Sequence, residues 1–330
     1  MALKSVTINI YIYSGTEGVY SSSDLKYTIS KDRISSNNNI VIEIANLVRD
    51  YLDTSFNDDY LGSAKWVTVS KTLFDSETGL EYTGDRSPVT ANYLALDGYG
   101  YFEDSINPQL STAALYTSNN MYLPEGTAGK FPIFAEGVGK VIIDSATTQI
   151  TDSGNSGQKI QYVTIPANSS SIKIYAIDDS TLLKTVTVTN VCEPKYTPYK
   201  ITFLNKLGAL QDLWCFKKTT EALNVTDEMY RRNNINTSSL SYNLYSGQQQ
   251  RQNVNATTSI VLNTGYVKED FNSAIEELFL SENAWILFEG NTLPVMVKNK
   301  SYTTKTVLND KLINHTINFD FAFNKINNVR

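Results

Sequence analysis

Apolar and polar residues alternate almost from the start of the chain. Val6, Ile8, Ile10 and Ile12 interleave with Thr7, Asn9, Tyr11 and Tyr13. A period of two predicts a strand with one covered face. Gly15 and Gly18 interrupt it, and residues 25–29 read as its returning partner. The polar run Ser35, Ser36, Asn37, Asn38 and Asn39 offers N-caps for a helix over residues 40–52. Val41, Ile44, Ala45, Val48 and Leu52 would form its apolar face. Strands are predicted at 66–69 and 93–96. Residues 97–102 are aromatic and punctuated by glycine, whereas 103–130 have little period and read as an extended excursion.

Short strands recur at 138–143, 159–165, 171–177 and 183–191, separated by turn clusters such as residues 152–157. That spacing predicts an immunoglobulin-like β-sandwich module. Pro194 and Pro198 mark a linker after it. Further strands fall at 199–204, 213–216 and 259–262, followed by a helix over 268–280. Phe271, Ala274, Ile275, Leu278 and Phe279 share its apolar face, leaving Asn272, Glu276 and Glu277 outside. Residues 285–288 and 294–297 form a hairpin across Gly290 and Asn291. A final strand spans 313–323, with Ile317, Phe319, Phe321 and Phe323 in one phase.

The expected fold is therefore mainly β (α+β), in three parts. An N-terminal β-rich domain, 1–130, carries helix 40–52. The immunoglobulin-like module covers 131–196. A C-terminal β-rich domain, 197–330, carries helix 268–280. Each end has strands, one amphipathic helix, then a strand opening near Trp66 or Trp285. Such an order suggests a duplicated β-β-α-β unit.

Composition adjusts this picture in few places. A length of 330 residues exceeds what one core serves. With 41% hydrophobic and 19% charged residues the chain has the material to fold. Its 21 tyrosines against 4 methionines suit strands. The net charge is −6 and no basic block occurs, so a phosphate-binding patch is not expected. No run approaches the ~20 apolar residues of a membrane-spanning helix, and residues 1–6 lack the apolar core of a secretory leader. Neither a membrane anchor nor secretion is expected.

Candidate chemistry is sparse. His315, the one histidine, shares a strand phase with Ile317 and Phe319 and reads as a core residue. No Gly-x-Ser-x-Gly elbow accompanies it. Cys192 and Cys215 are too few for a disulfide framework or a cysteine zinc site, and both read as buried thiols. The pairs Asp58-Asp59 and Asp178-Asp179 would point to opposite faces on a strand, and in a turn they read as ordinary solvated residues. The loop 152–157 has one carboxylate, Asp152, too few oxygen ligands for a cation. Gly98 and Gly100 lack the third glycine of a dinucleotide site. No catalytic residue, metal or cofactor is expected, and the protein reads as a non-enzyme.

What remains is surface. Residues 233–256 are long, polar and rich in Gln and Asn, with alternation at Leu240, Tyr242 and Leu244. They read either as a mobile loop or as a β-hairpin arm that pairs with a neighbouring subunit. The candidate assembly residues are Tyr99, Tyr101 and Phe102 in the aromatic loop, and Tyr242, Tyr245, Gln249, Arg251 and Asn253 in the arm.

The last third also carries a family likeness. It rests on residues 203–209 (Phe-Leu-Asn-Lys-Leu-Gly-Ala), 262–267 (Leu-Asn-Thr-Gly-Tyr-Val) with the helix that follows, and 293–295 (Leu-Pro-Val). Residues 300–305, 309–314 and 319–323 (Phe-Asp-Phe-Ala-Phe) continue it. The pattern resembles virion proteins of tailed phages that infect Bacteroidetes, crAss-like phages included, found among tail, ring and neck components. The resemblance implies a homo-oligomeric ring stacked on neighbouring tail, neck or portal proteins. It also implies tail-tube-like domains, each pairing a β-sandwich or barrel with one helix. Such a subunit would be made in the host bacterial cytoplasm and end in the virion, meeting DNA only where it passes through a lumen. Two rivals are a receptor- or carbohydrate-binding fibre or baseplate module, and an enzyme built on two carboxylates.

Overall fold

The computed structural model describes residues 3–34, 39–75, 78–82, 89–101, 114–304 and 313–326. It is mainly β, with several antiparallel sheets. The chain divides into two compact units, Met1–Asn190 with Thr202–Asp212, and Val191–Ile201 with Leu213–Arg330.

The first unit opens with β1 (Leu3–Tyr13) and β2 (Leu25–Asp32), followed by α1 (Ala45–Arg49), β3 (Ala64–Asp75) and β4 (Val89–Leu96). These strands make a four-stranded sheet in the order β2-β1-β3-β4. Val6, Ile8, Ile10 and Ile12 are buried with Val48 and Val67, as the period of two predicts. The helix departs from expectation. It has five residues instead of the thirteen of 40–52. Ile40, Val41, Ile42 and Ile44 are β-branched, and crowding at χ1 disfavours them in a helix. Residues 40–44 lie outside the helix and alternate in burial instead: Ile40, Ile42 and Ile44 pack on the core while Val41 and Glu43 are exposed. Ala45, expected on the apolar face, is exposed too.

The excursion predicted at 103–130 is also overturned in part. Residues 120–124 form β5 (Asn120–Pro124), with all five positions buried. β6 (Gly129–Phe134) starts soon after. Then come β7 (Val138–Ile143), β8 (Ala146–Gln149), β9 (Ile160–Ile165), β10 (Ser171–Ala176) and β11 (Leu182–Val191). One sheet runs β5-β11-β10-β7-β8, and β6 pairs with β9. Cys192 lies just past the end of β11 and is exposed, not buried, because the chain leaves the ladder there.

The remaining strands are β12 (Tyr199–Leu204), β13 (Leu210–Cys215), β14 (Thr220–Arg231), β15 (Gln249–Asn263), β16 (Ala284–Phe288), β17 (Asn291–Val297) and β18 (Thr316–Ile326). They form a seven-stranded sheet, β13-β12-β16-β17-β18-β15-β14. A 3-10 turn (Glu269–Phe271) leads into α2 (Asn272–Leu280). Phe271, Ala274, Ile275 and Leu278 are buried as predicted. Asn272 and Glu277, expected outside, are buried as well, and Tyr302 Oη donates to Asn272 Oδ1 at 2.9 Å. The β16–β17 turn is Glu289-Gly290, one residue earlier than predicted, with φ of 49° and 80°. Two left-handed residues in succession suit a tight hairpin, and glycine takes the second at no steric cost.

The duplicated order is visible in the pairing. At the N-terminal end, a hairpin (β1, β2) is followed by α1, β3 pairs with β1, and β4 pairs with β3. The sequence of events recurs as hairpin β12, β13, then α2, then β16 beside β12 and β17 beside β16. Trp66 and Trp285 stand near the start of β3 and β16. The long hairpin β14–β15 enters between the second strand and the helix, and among the described residues no such hairpin stands between β2 and α1.

Candidate functional site

The hairpin β14–β15 is the most exposed regular element of the second unit. All twelve residues of β14 are exposed. Among the described residues, β15 is paired on both sides from Asn255 to Asn263, where β18 lies against it. Before Asn255 its described partner is β14, and residues 227–254 run as a two-stranded ribbon. From Thr226 to Arg231 that ribbon extends about 17 Å at the usual strand rise. A bulge sits at its base: Thr226 pairs Asn255, but Glu228 pairs Gln252. Asn253 takes up the extra residue at φ 51°, a conformation asparagine tolerates better than most residues.

Side chains stiffen the ribbon. Arg251 Nε donates to Asp227 Oδ2 at 2.6 Å, and Asn253 Nδ2 to Glu228 Oε2 at 2.7 Å. Tyr230 Oη donates to Gln250 Oε1 at 2.7 Å. At the tip, Arg232 Nε donates to Gly247 O at 3.1 Å, and Asn236 N to Ser241 O at 2.8 Å. Leu240, Tyr242, Leu244 and Tyr245 all project into solvent there, Leu244 at 93% and Tyr245 at 88% exposure. The polar run thus forms a hairpin, but one rooted at Thr220, upstream of the predicted 233. Of the predicted arm residues, Tyr242 and Tyr245 are exposed at the tip. Gln249 pairs Arg231, while Arg251 and Asn253 hold the ribbon together.

The aromatic loop lies in the first unit and is less open. Tyr99 and Tyr101 are half-buried, with ring centroids 6.1 Å apart. Tyr99 N donates to Lys206 O at 2.9 Å, and Lys206 Nζ stands 3.9 Å from the Tyr101 ring centroid. Gly98 makes this seat possible: a Cβ there would lie 2.6 Å from Lys206 O. Two members of the predicted trio are thus used in packing the loop on the turn after β12. Phe102 lies outside the described residues.

A cleft of about 640 Å³ opens in the first unit, lined by Asp58, Tyr60, Lys130, Gln158, Gln161 and Tyr162 among others. Tyr60 and Tyr162 stand 5.3 Å apart, tilted by 56°. Tyr60 Oη donates to the buried Asp212 carboxylate, 2.7 Å from its nearer oxygen, and Thr202 Oγ1 donates to the same group at 2.7 Å. Tyr162 Oη accepts from Leu210 N at 2.8 Å. Burial raises both phenols far above their ordinary value, and the Asp212 charge pushes Tyr60 further. Neither therefore supplies a phenolate at neutral pH. No local sequence pattern signals this cluster, since Tyr60 and Asp212 are 152 residues apart.

Other candidates resolve simply. His315 is 4% exposed, and its ring centroid lies 5.6 Å from that of Tyr302. Asp152 accepts from the buried Lys159 ammonium at 2.6 Å, so a side chain supplies the cation that loop holds. Asp178 accepts from Ser180 N, Thr181 N and Thr181 Oγ1, a turn that holds its carboxyl well below the usual range. Among the described residues, no group of three or more His, Cys, Asp or Glu is placed to hold a metal ion. Nor is any helix among them long and apolar enough to cross a membrane.

The two cysteines make a direct check on the fold. Burial lifts the Cys215 thiol to about 12, whereas Cys192 is exposed. A disulfide-exchange reagent under mildly alkaline conditions is expected to modify Cys192 promptly and Cys215 only after denaturation. Prompt reaction of both in the native chain would contradict the described core.

No protein-family model matches the chain, and no curated protein matches it.

Proposed function

We propose that the chain is a structural subunit of a tailed-phage virion, one of several copies that close a ring or tube segment in the tail, neck or portal-adjacent assembly. In this reading the β sheets of the two ends are tail-tube-like domains, and residues 131–196 are an immunoglobulin-like sandwich. The reading takes the protein as a non-enzyme without cofactors, localised to the virion and made in the bacterial cytoplasm. One observation carries it: the ribbon β14–β15 leaves the sheet with β14 exposed throughout and, among the described residues, no strand beside its outer edge. Soluble monomers blunt such edges, because unpaired N–H and C=O groups recruit other chains. A subunit that must find neighbours can keep them. The resemblance of residues 203–323 to phage ring, tail and neck proteins points the same way. Negative-stain electron micrographs of the purified protein are the test. Rings or tubes of uniform diameter are expected. A field of single particles at every concentration would count against the proposal.

A receptor- or carbohydrate-binding module is the second reading, and the cleft favours it. Paired aromatic rings flanked by Gln158, Gln161 and Asp58 suit a sugar, which presents apolar C–H faces and hydroxyls together. On that reading the protein stays small in solution and is retained on immobilised glycan.

A further inference from the structure

β14 is the outermost strand of its sheet, and one residue pattern runs along it. Opposite residues of an antiparallel pair share a face. Glu221 lies opposite Ile260, and Ile260 opposite Phe319; both apolar residues are fully buried. The core face of the sheet therefore continues outward along β14 through Glu221, Leu223, Val225, Asp227, Met229 and Arg231. Leu223 and Met229 are 56% and 62% exposed on it. The other face carries Thr220, Ala222, Asn224, Thr226, Glu228 and Tyr230.

The order of these residues is self-complementary. A twofold axis at Thr226 lays β14 antiparallel against its own copy. Glu221 then falls opposite Arg231 of the other copy, and Leu223 opposite Met229. Ala222 meets Tyr230, and Asn224 meets Glu228. Symmetry makes each pairing twice, so the contact has two ion pairs and two apolar pairs on one face. Val225 meets Asp227, whose charge Arg251 already neutralises at 2.6 Å. Shifting the axis by one residue loses this match. Centred on Val225, Leu223 faces Asp227 and Glu221 faces Met229. Centred on Asp227, two aspartates meet on the axis and Leu223 faces Arg231.

We infer that a second copy of this chain docks on β14, joining two seven-stranded sheets into one continuous sheet through the antiparallel pair centred on Thr226. The charge match and the apolar match select the same register independently. Backbone hydrogen bonds supply affinity along the edge, and the opposed side chains set the register. The contact is isologous, so it couples copies in pairs. Ring closure would need a separate, heterologous surface. The inference stands without any assignment to a virion.

Two measurements test it on the full-length chain. In a C192S background, T226C is expected to give a disulfide-linked dimer on mild oxidation, since the α-carbons of directly opposed residues lie about 4.5–5.5 Å apart. Sedimentation equilibrium supplies the second. E221R or R231E alone is expected to weaken the dimer roughly tenfold or more, because each reversal sets like charges opposite twice. The double variant E221R/R231E rebuilds both pairs with signs exchanged and is expected to recover the parent affinity. Circular dichroism confirms that each variant keeps its sheet. A chain that stays monomeric at every concentration overturns the inference, as does a dimer in which T226C does not cross-link. A double variant as weak as the single ones does so too. Rings that form from a chain whose T226C variant gives no cross-link would leave the virion reading standing while removing this one.

Discussion

Replacing residues 227–254 with Asn-Gly should abolish the pairing of two copies along β14 while leaving the second unit folded. Thr226 and Asn255 already face one another, so a two-residue turn can close the hairpin at its base. Nearly all the residues removed are exposed, and little apolar burial goes with them. Shortening the loop also lowers the entropy needed to close it. Thermal melting should therefore change little, whereas the antiparallel β14 dimer, followed by sedimentation equilibrium, should be lost. If that dimer survives the truncation undiminished, the arm is not what joins the pair.

The second large effect is expected far from the arm. Asn205 is fully buried in the turn after β12 and uses its whole side chain. Its Nδ2 donates to Leu115 O at 2.8 Å and Gln211 Oε1 at 3.0 Å. Its Oδ1 accepts from Leu207 N and Ala209 N, both at 3.0 Å. Asn205→Ala removes all four bonds and leaves buried partners without them. An orphaned buried polar group costs about 1–3 kcal/mol, partly relieved by local rearrangement, so a loss of roughly 4 kcal/mol is expected. The measurement is the denaturant midpoint of the first unit, read at an unchanged slope. A loss under about 1 kcal/mol would mean that the turn is held by its backbone and not by this side chain.

How far the sequence was readable follows from how each element is covered. β1 has one wet face and one dry face, so its period of two is plain. β18 likewise shows its phase at Ile317, Phe319 and Phe321, although Phe323 emerges into solvent. β5 is buried at every position and β14 exposed at every position, so neither alternates, and neither was legible as a strand. The segment before α1 placed apolar residues at spacings that fit two periods, and its β-branched side chains disfavoured the helical one, leaving an alternating burial at Ile40, Ile42 and Ile44. The arm's tip was legible from its polar composition. Its root was not, because the ribbon extends the sheet through residues that look like ordinary polar strand. The half-burial of Tyr99 and Tyr101 depends on a backbone approach at Gly98 that no local pattern announces.

Because β14 and β15 are spliced in between a hairpin and a helix, neither core constrains the ribbon's reach. Adding two residues to each strand above the Asn253 bulge would lengthen it by about 7 Å and keep every side chain on its present face. Adding one would exchange the faces and turn Met229 away from the side it shares with Leu223. Spacing between copies is thus adjustable only in even steps.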